Sequence, residues 1–181
     1  MEDSSGSSAW VYDSCGRLVT ETLAIIGVGT YTTHRAYNSA DQLAGMTYPS
    51  GEHVSTFYNP QGGVTEVDSD TWMSYASQAR YDVAGRLLER TLGNGVKTSN
   101  TYNFWNEQGG RLESTSSITS QTPAATRQHL AYSYDANGNI SAIQDTVASE
   151  TLNYSYDLLD RITGVSGAYS QSYGYDAATG N

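Results

Sequence analysis

Three histidines and a single cysteine are the residues best able to bind a metal or to attack a substrate. His34, His53 and His129 are far apart and have no i, i+4 spacing, so a zinc site would require the fold to gather them. Cys15 is the only cysteine, which excludes an internal disulfide and a cysteine-based metal cluster. We therefore predict no metal and no cofactor, an incidental thiol, and histidines that lie on the surface or pair across strands.

Carboxylates are more numerous but form no catalytic pattern. The segment 135–139 has some features of a calcium loop, yet its glycine comes two positions early and Thr146 stands where the bidentate glutamate should be. The sequence has no Gly-x-Ser-x-Gly elbow, no phosphate loop and no dinucleotide fingerprint. We predict that the protein is not an enzyme, since a glycosidase would need two carboxyl groups about 5–10 Å apart in a cleft.

Two Asn-x-Ser sequons are the remaining candidate sites of modification. They begin at Asn139 and Asn153, and either asparagine would accept a glycan if the chain were exported through a glycosylating pathway. Such short patterns also arise by chance in a sequence that is rich in serine and threonine.

These residues are embedded in a repeat of the form Tyr-Asp/Asn-x-x-Gly/Asp-Arg-apolar. It first runs from Tyr12 to Leu18 and recurs along the chain as far as Tyr175, with a stretched copy between Tyr102 and Leu112. Successive repeat tyrosines are mostly 19 to 25 residues apart. The positions that we predict to build the repeated turns are Tyr12, Asp13, Gly16, Arg17, Tyr37, Asn38, Tyr58, Asn59, Gly62, Tyr81, Asp82, Gly85, Arg86, Tyr102, Asn103, Tyr134, Asp135, Gly138, Tyr156, Asp157, Arg161, Tyr175 and Asp176.

Each residue type in the repeat suits a tight turn. Asp or Asn can hydrogen-bond its own backbone two residues later, and the glycine three positions on can adopt positive φ. A second turn signal lies midway between repeats, at 48–51, 93–95 and 165–167. The segments between turns, such as 87–92 and 96–102, have the length and composition of strands, and we predict the last strand at 169–175.

The alternation of strands and turns predicts an all-β fold, a continuous antiparallel array of β-hairpins without substantial helix. We assign residues 1–9 to a flexible polar tail and 10–181 to a single array that ends in mid-repeat.

Alternate tyrosines such as Tyr132 and Tyr134 share one face of a strand. Because such tyrosines recur at the same position in successive repeats, we predict ladders of aromatic rings across neighbouring strands. The recurring arginines could stack on these rings or pair with turn carboxylates. We interpret the rings as structural; a ligand-binding aromatic strip is the alternative.

Charge and hydropathy exclude two classes of partner. The net charge of −10 repels phosphate backbones and anionic lipid, so we predict neither nucleic-acid binding nor membrane insertion. The first residues lack the basic and apolar regions of a secretory signal. The longest apolar run, 23–28, is far too short to span a bilayer.

Three motifs carry a resemblance to a known family. Tyr-Asp-x-x-Gly-Arg-Leu at 81–87, Thr-Tyr-Pro-Ser-Gly at 47–51 and Leu-Gly-Asn-Gly-Val at 92–96 resemble the YD repeats of Rhs proteins, whose relatives include shell components of insecticidal toxin complexes and teneurin ectodomains. The resemblance covers 10–181. It implies a β-sheet strip that spirals, in complete proteins, into a hollow shell around a C-terminal toxin, outside the cell or on its surface. The Asp-Pro-rich motif that ends such shells is missing, so neither autoproteolysis nor closure is implied.

These observations predict a structural scaffold, a segment of an Rhs-type shell or of an extracellular or cell-surface protein. Its partners would be the remainder of a larger Rhs-type protein, or copies of itself joined head-to-tail into fibres or tubes, because open strand edges invite pairing. The alternative is a module that binds carbohydrate or a cell surface. Its first candidate rings are Trp10, Trp72 and Trp105.

Overall fold

The computed structural model describes residues 2–71, 74–120 and 123–176. Within these residues the chain is almost entirely β-strand, with one four-residue helix. It forms two compact units, the first comprising Met1–Gly85 and Leu92–Asn94, the second Arg86–Thr91 and Gly95–Asn181.

In the first unit the strands are hydrogen-bonded in the order of the sequence. Each strand is antiparallel to the next. The strands are β1 (Glu2–Asp3), β2 (Gly6–Tyr12), β3 (Leu18–Ile25), β4 (Gly29–Tyr37), β5 (Leu43–Thr47), β6 (His53–Tyr58), β7 (Val64–Ser69) and β8 (Ala76–Tyr81).

The second unit has the same arrangement, a meander of antiparallel hairpins. Its elements are β9 (Leu87–Leu92), β10 (Val96–Tyr102), α1 (Trp105–Gln108), β11 (Leu112–Thr119), β12 (Ala125–Tyr134), β13 (Ile140–Asp145), β14 (Glu150–Tyr156), β15 (Ile162–Gly167) and β16 (Gln171–Ser172). Helix α1 fills the stretched copy of the repeat and ends at Gly109, whose φ is 61°. The predicted all-β hairpin array is confirmed in each unit.

The strand register gives the sheet of the second unit two chemically different faces. In the second unit Tyr132 pairs with Ile143, Ile143 with Leu152, and Tyr154 with Val165, so one face is aromatic and aliphatic. The opposite face carries the cross-strand row Ser133, Ala142, Asn153 and Ser166. The alternation is that of a sheet with one apolar and one polar side.

The sheets are single layers. Among the described residues the only buried hydrophobic side chains are Val54 (7% exposed) and Val165 (6% exposed), and no polar side chain is buried. A hairpin is marginal by itself in water, so stability here comes from cross-strand contacts between neighbours rather than from an enclosed core.

Three details differ from the sequence-based expectations. Pairing begins before residue 10, because Gly6–Ala9 in β2 pair with Thr22–Ile25 in β3 through the backbone, which needs no apolar side chains. The turn predicted at 165–167 is wrong: these residues end β15, where Val165 packs opposite Tyr154. The last predicted strand, 169–175, is reduced to Gln171–Ser172.

Candidate functional site

The repeated Tyr-Asp turn is the dominant local structure, and the first copy shows its geometry. The Asp13 N–H donates to the Arg17 carbonyl (2.9 Å), and the Gly16 N–H donates to the Asp13 carbonyl (3.0 Å). Asp13 Oδ1 accepts from the backbone N–H groups of Cys15 and Arg17, both at 2.9 Å. One carboxylate oxygen thus satisfies two backbone donors that the sharp turn leaves without a ladder partner.

Asparagine can replace aspartate in this turn because the carboxamide oxygen accepts the same two bonds. Asn38 Oδ1 accepts from Ala40 and Gln42, at 2.9 and 3.0 Å. The same side-chain pattern recurs at Asn59, Asp135 and Asp157. Asp82 accepts from the Ala84 N–H at 2.9 Å.

In the described repeats of normal length, the fifth residue, counted with the tyrosine as the first, adopts the left-handed conformation. Gly16 has φ of 78° and Gly138 has φ of 94°, but two copies carry aspartate there, Asp41 (60°) and Asp160 (57°). Both carboxylates receive donors from the preceding turn. Arg17 pairs with Asp41. The side-chain amides of Asn137 and Asn139 donate to Asp160 at 3.0 and 2.7 Å. These bonds offset the strain that a non-glycine residue incurs there.

A hydrogen bond from the repeat tyrosine links each turn to the one before it. The tyrosine hydroxyl donates to the backbone carbonyl of the first residue of the preceding strand, which is the apolar residue of the previous repeat. We call this bond the tyrosine clasp. The clasps are Tyr37 to Leu18 (3.0 Å), Tyr58 to Leu43 (2.8 Å), Tyr81 to Val64 (2.8 Å), Tyr102 to Leu87 (2.9 Å), Tyr134 to Leu112 (2.8 Å), Tyr156 to Ile140 (2.8 Å) and Tyr175 to Ile162 (2.8 Å).

A β-bulge accompanies the clasp. The pairing register shifts immediately before the repeat tyrosine, for example between Ser133 and Tyr134 and between Ser155 and Tyr156. The extra residue lies in the strand that follows the turn, β13 or β15 in these two cases, and a bulge bends the strand that contains it. The accepting carbonyl lies at the start of its strand, next to the turn, and the tyrosine hydroxyl supplies it with a donor.

Among the described repeats, arginine covers the clasp ring in four. The guanidinium carbon lies over the next tyrosine ring at 4.9 Å for Arg17 on Tyr37, 4.3 Å for Arg86 on Tyr102, 5.5 Å for Arg111 on Tyr134 and 4.2 Å for Arg161 on Tyr175. These distances are within the range of cation–π attraction. Arg17 and Arg161 also form ion pairs with the aspartate of their own turn, at 2.7 Å.

Burial and hydrogen bonding shift the pKa values of the repeat residues. Burial raises the pKa of the Tyr134, Tyr154 and Tyr156 hydroxyls. The backbone N–H of Arg17 lowers the pKa of Asp13, and the Arg161 side chain lowers that of Asp157. Tyr134 and Tyr156 are therefore neutral donors, and Asp13 and Asp157 ionised acceptors, at neutral pH.

The histidines are paired across strands. Nδ1 of His34 lies 3.1 Å from Thr20 Oγ1, Nδ1 of His53 lies 2.9 Å from Thr47 Oγ1, and Nδ1 of His129 lies 2.8 Å from Thr146 Oγ1. Thr146 thus partners a histidine. In the described part of the chain no group of three histidine, cysteine or acidic residues could hold a metal ion.

The other candidate residues are placed as follows. The side-chain amide of Asn139 donates hydrogen bonds to Asp135 and Asp160, whereas Asn153 is exposed on the polar face. Trp10 is 42% exposed and Trp105 65% exposed, the latter with Arg86 over its ring at 5.0 Å. Trp72 lies outside the described residues. Cys15 is an exposed free thiol at a turn.

Sequence reasoning missed two features. The tyrosine clasp joins residues that are 13 to 22 positions apart in the sequence. Its only sequence signal is that the tyrosine and the apolar residue each recur at a fixed position in successive repeats. The second feature is a polar cluster in which Glu52 Oε1 accepts from Ser69 and Tyr75, both at 2.6 Å. No repeated pattern marks it.

No family model matches the sequence. Solved structures, however, share its fold over most of its length. A chain in the crystal structure of TcdB2-TccC3-Cdc42 superposes with a TM-score of 0.76 over 91% of this chain, at 18% sequence identity. A chain of the Photorhabdus luminescens Tc holotoxin pore carrying the TccC3-D651A mutation gives a TM-score of 0.74 over 91%, at 19% identity.

The chain has the fold of part of a Tc toxin complex. A chain in the TcdB2-TccC3 structure matches in the same way, with a TM-score of 0.73 over 86% of this chain. The chain spans 9% of the length of each of these Tc chains. The resemblance to YD-repeat proteins is thereby confirmed at the level of the fold.

Proposed function

We propose that this chain is a structural scaffold, a segment of the wall of an Rhs-type shell, with no turnover of substrate. The tyrosine clasp carries the proposal. In the part of the chain that the structure describes, seven clasps tie the hairpins of single-layered sheets to one another, and they use the residues that define the repeat. A wall one sheet thick requires this lateral bonding because it has no enclosed core to stabilise it.

The polar groups of the repeat support a scaffold rather than an enzyme. The carboxylates of Asp13 and Asp157 accept backbone and arginine donors, and Asp160 accepts two amides. Groups committed to such bonds are poor general acids or bases, which must exchange protons with a substrate.

The remainder of a larger polypeptide is the proposed partner, and the proposed location is outside the cell or on its surface. Support comes from the fold shared with Tc toxin chains, of whose length this chain spans 9%. Among the described residues there is no helix with the length and hydropathy that crossing a membrane would require.

Electron cryo-microscopy of the full polypeptide encoded by the gene tests the wall proposal. We expect the hairpins of this chain as one layer of a hollow particle, with the tyrosine clasps running along it. Density in which a second sheet covers Val54 in the first unit or Val165 in the second would contradict the proposal, because that would be a sandwich core instead of a wall.

Head-to-tail association of copies is the proposed assembly when the chain is isolated. Among the described residues Tyr12 is the repeat tyrosine for which the structure shows no clasp, and it is 58% exposed. Its hydroxyl is available for a carbonyl of another copy. Light scattering and electron microscopy over a concentration series test this: filaments that shorten in Tyr12→Phe support it, and a monomer at every concentration refutes it.

Recognition of cell-surface carbohydrate is a second candidate, favoured by exposed aromatic rings. Trp105 is 65% exposed and Phe104 beside it 74% exposed. Sugar rings stack on such faces through their apolar C–H surfaces. A glycan array with tryptophan-fluorescence titration tests it: quenching lost in Trp105→Ala supports binding, and no signal across envelope polysaccharides removes the candidate.

A further inference from the structure

A cleft in the first unit lies apart from the repeated turns. It has a volume of about 560 Å³, and its lining includes Tyr48, Pro49, Glu52, Val54 and Tyr75. This volume is within the range of small-molecule sites, which are mostly apolar with a few polar groups that orient the ligand. The buried Val54 forms part of the apolar lining.

Backbone hydrogen bonds hold the two chain segments that carry Tyr48 and Tyr75. The Tyr48 N–H donates to the Glu52 carbonyl (2.9 Å) and the Gly51 N–H donates to the Tyr48 carbonyl (2.9 Å), so the loop closes as the Tyr-Asp turns do. The Tyr75 N–H donates to the Val67 carbonyl at 2.8 Å. Nevertheless the two rings remain 42% and 50% exposed, so both present surface to solvent.

The polar group of the cleft is a carboxylate. The hydroxyls of Ser69 and Tyr75 donate to Glu52 Oε1 at 2.6 Å. The Ser69 hydrogen bond, followed by that of Tyr75, lowers the pKa of Glu52, so the carboxylate is ionised at neutral pH. No lysine or arginine is among the described residues that line the cleft.

We propose that this cleft binds an organic ammonium group, held between the faces of Tyr48 and Tyr75 and against the Glu52 carboxylate. Aromatic rings attract cations through the negative potential of their faces, and quaternary ammonium ligands are bound in this way in aromatic cages. The carboxylate adds direct charge complementarity, and the net charge of −10 favours the approach of a cation. An anionic or neutral polar ligand would have no cationic partner among the described lining residues.

The proposal is tested by titrating the whole chain with choline and with its neutral isostere 3,3-dimethylbutan-1-ol, following backbone amide NMR signals around Gly51. We expect saturable shifts with choline, with a Kd on the order of 1–10 mM, and at least fivefold weaker binding of the alcohol. A titration with Nα-acetyl-lysine methylamide shows whether the cleft binds a lysine side chain more or less tightly than the quaternary ammonium of choline. Equal binding of choline and the alcohol, or no saturation by any cation at a concentration about tenfold above the expected Kd, would overturn the proposal.

Variants localise the site. Glu52→Gln removes the charge and is expected to weaken choline binding about tenfold, and Tyr48→Leu removes one π face and is expected to weaken it about two- to fivefold. Tyr169→Leu, a control at an exposed tyrosine of the other unit, should leave the Kd unchanged. Equal effects of Tyr48→Leu and Tyr169→Leu would place binding elsewhere. The comparison of choline with the alcohol needs no variant and decides the proposal even if a substitution unfolds the chain.

Discussion

The tyrosine clasp predicts a specific loss of stability when a single hydroxyl is removed. Tyr134→Phe deletes the donor to the Leu112 carbonyl (2.8 Å) and keeps the ring on which Arg111 stacks. The packed ring therefore stays in place, and only the hydrogen bond is lost. Because Leu112 begins β11 beside a turn, its carbonyl loses the side-chain donor that the clasp supplies.

The expected loss is about 1 kcal/mol in the free energy of unfolding. A neutral hydrogen bond contributes roughly 0.5–1.5 kcal/mol net, and a partly exposed carbonyl recovers part of its loss by bonding water. Tyr156→Phe, which deletes the 2.8 Å clasp to Ile140, should lose a similar amount. Tyr169→Phe is the control because its ring is 54% exposed, and it should stay within about 0.5 kcal/mol of wild type.

Urea denaturation followed by circular dichroism measures these differences, with the slope m compared between variants to confirm that the same surface unfolds. If Tyr134→Phe and Tyr169→Phe shift the unfolding midpoint equally, the clasp contributes nothing specific and the reasoning is refuted. A changed m in Tyr134→Phe alone would show that one hairpin unfolds separately, as nearest-neighbour coupling in repeat arrays allows.

Two further predictions concern turn backbone and pH. Gly16 has φ of 78° and open space around an added Cβ, so Gly16→Ala should lower the free energy of unfolding by about 1–2 kcal/mol, measured by thermal denaturation. Gly138→Ala should lower it further because its Cβ would also meet the Arg111 guanidinium. Equal losses in the two variants would contradict this. Stability should fall as pH rises above about 10, the pKa of tyrosine in the unfolded chain, because burial raises the folded pKa of Tyr134 and the folded state then binds more protons than the unfolded state. Tyr134→Phe should flatten that decline in urea midpoints taken between about pH 9 and 11.5, and an unchanged decline would refute the assignment.

The sequence predicted the local structure well and the cross-strand structure only in part. Strands β9 and β10 have the predicted bounds, because each is a β-prone segment between two strong turn signals. The arginines were expected to stack on rings or to pair with carboxylates, and Arg17 does both. The turn predicted at 165–167 is wrong because Val165 is buried opposite its cross-strand neighbour Tyr154, a contact that the local Ser-Gly signal does not reveal. The Glu52 cluster escaped prediction because its members, up to 23 residues apart, meet only through strand register.

The variation among repeats shows which of their interactions is essential to the architecture. Arginine covers the tyrosine ring in four copies, but the position holds Gln42, Gly63 and Asn139 in three others, and the following tyrosine still forms its clasp in each. At Gly63 an added Cβ would lie 2.8 Å from the Tyr81 ring, so the ring itself occupies the space that arginine fills elsewhere. Several residue types can therefore cover the tyrosine ring. Only tyrosine has both this ring and a hydroxyl that can donate to the preceding carbonyl, which explains why tyrosine, rather than phenylalanine, is the last residue of β4, β6, β8, β10, β12 and β14.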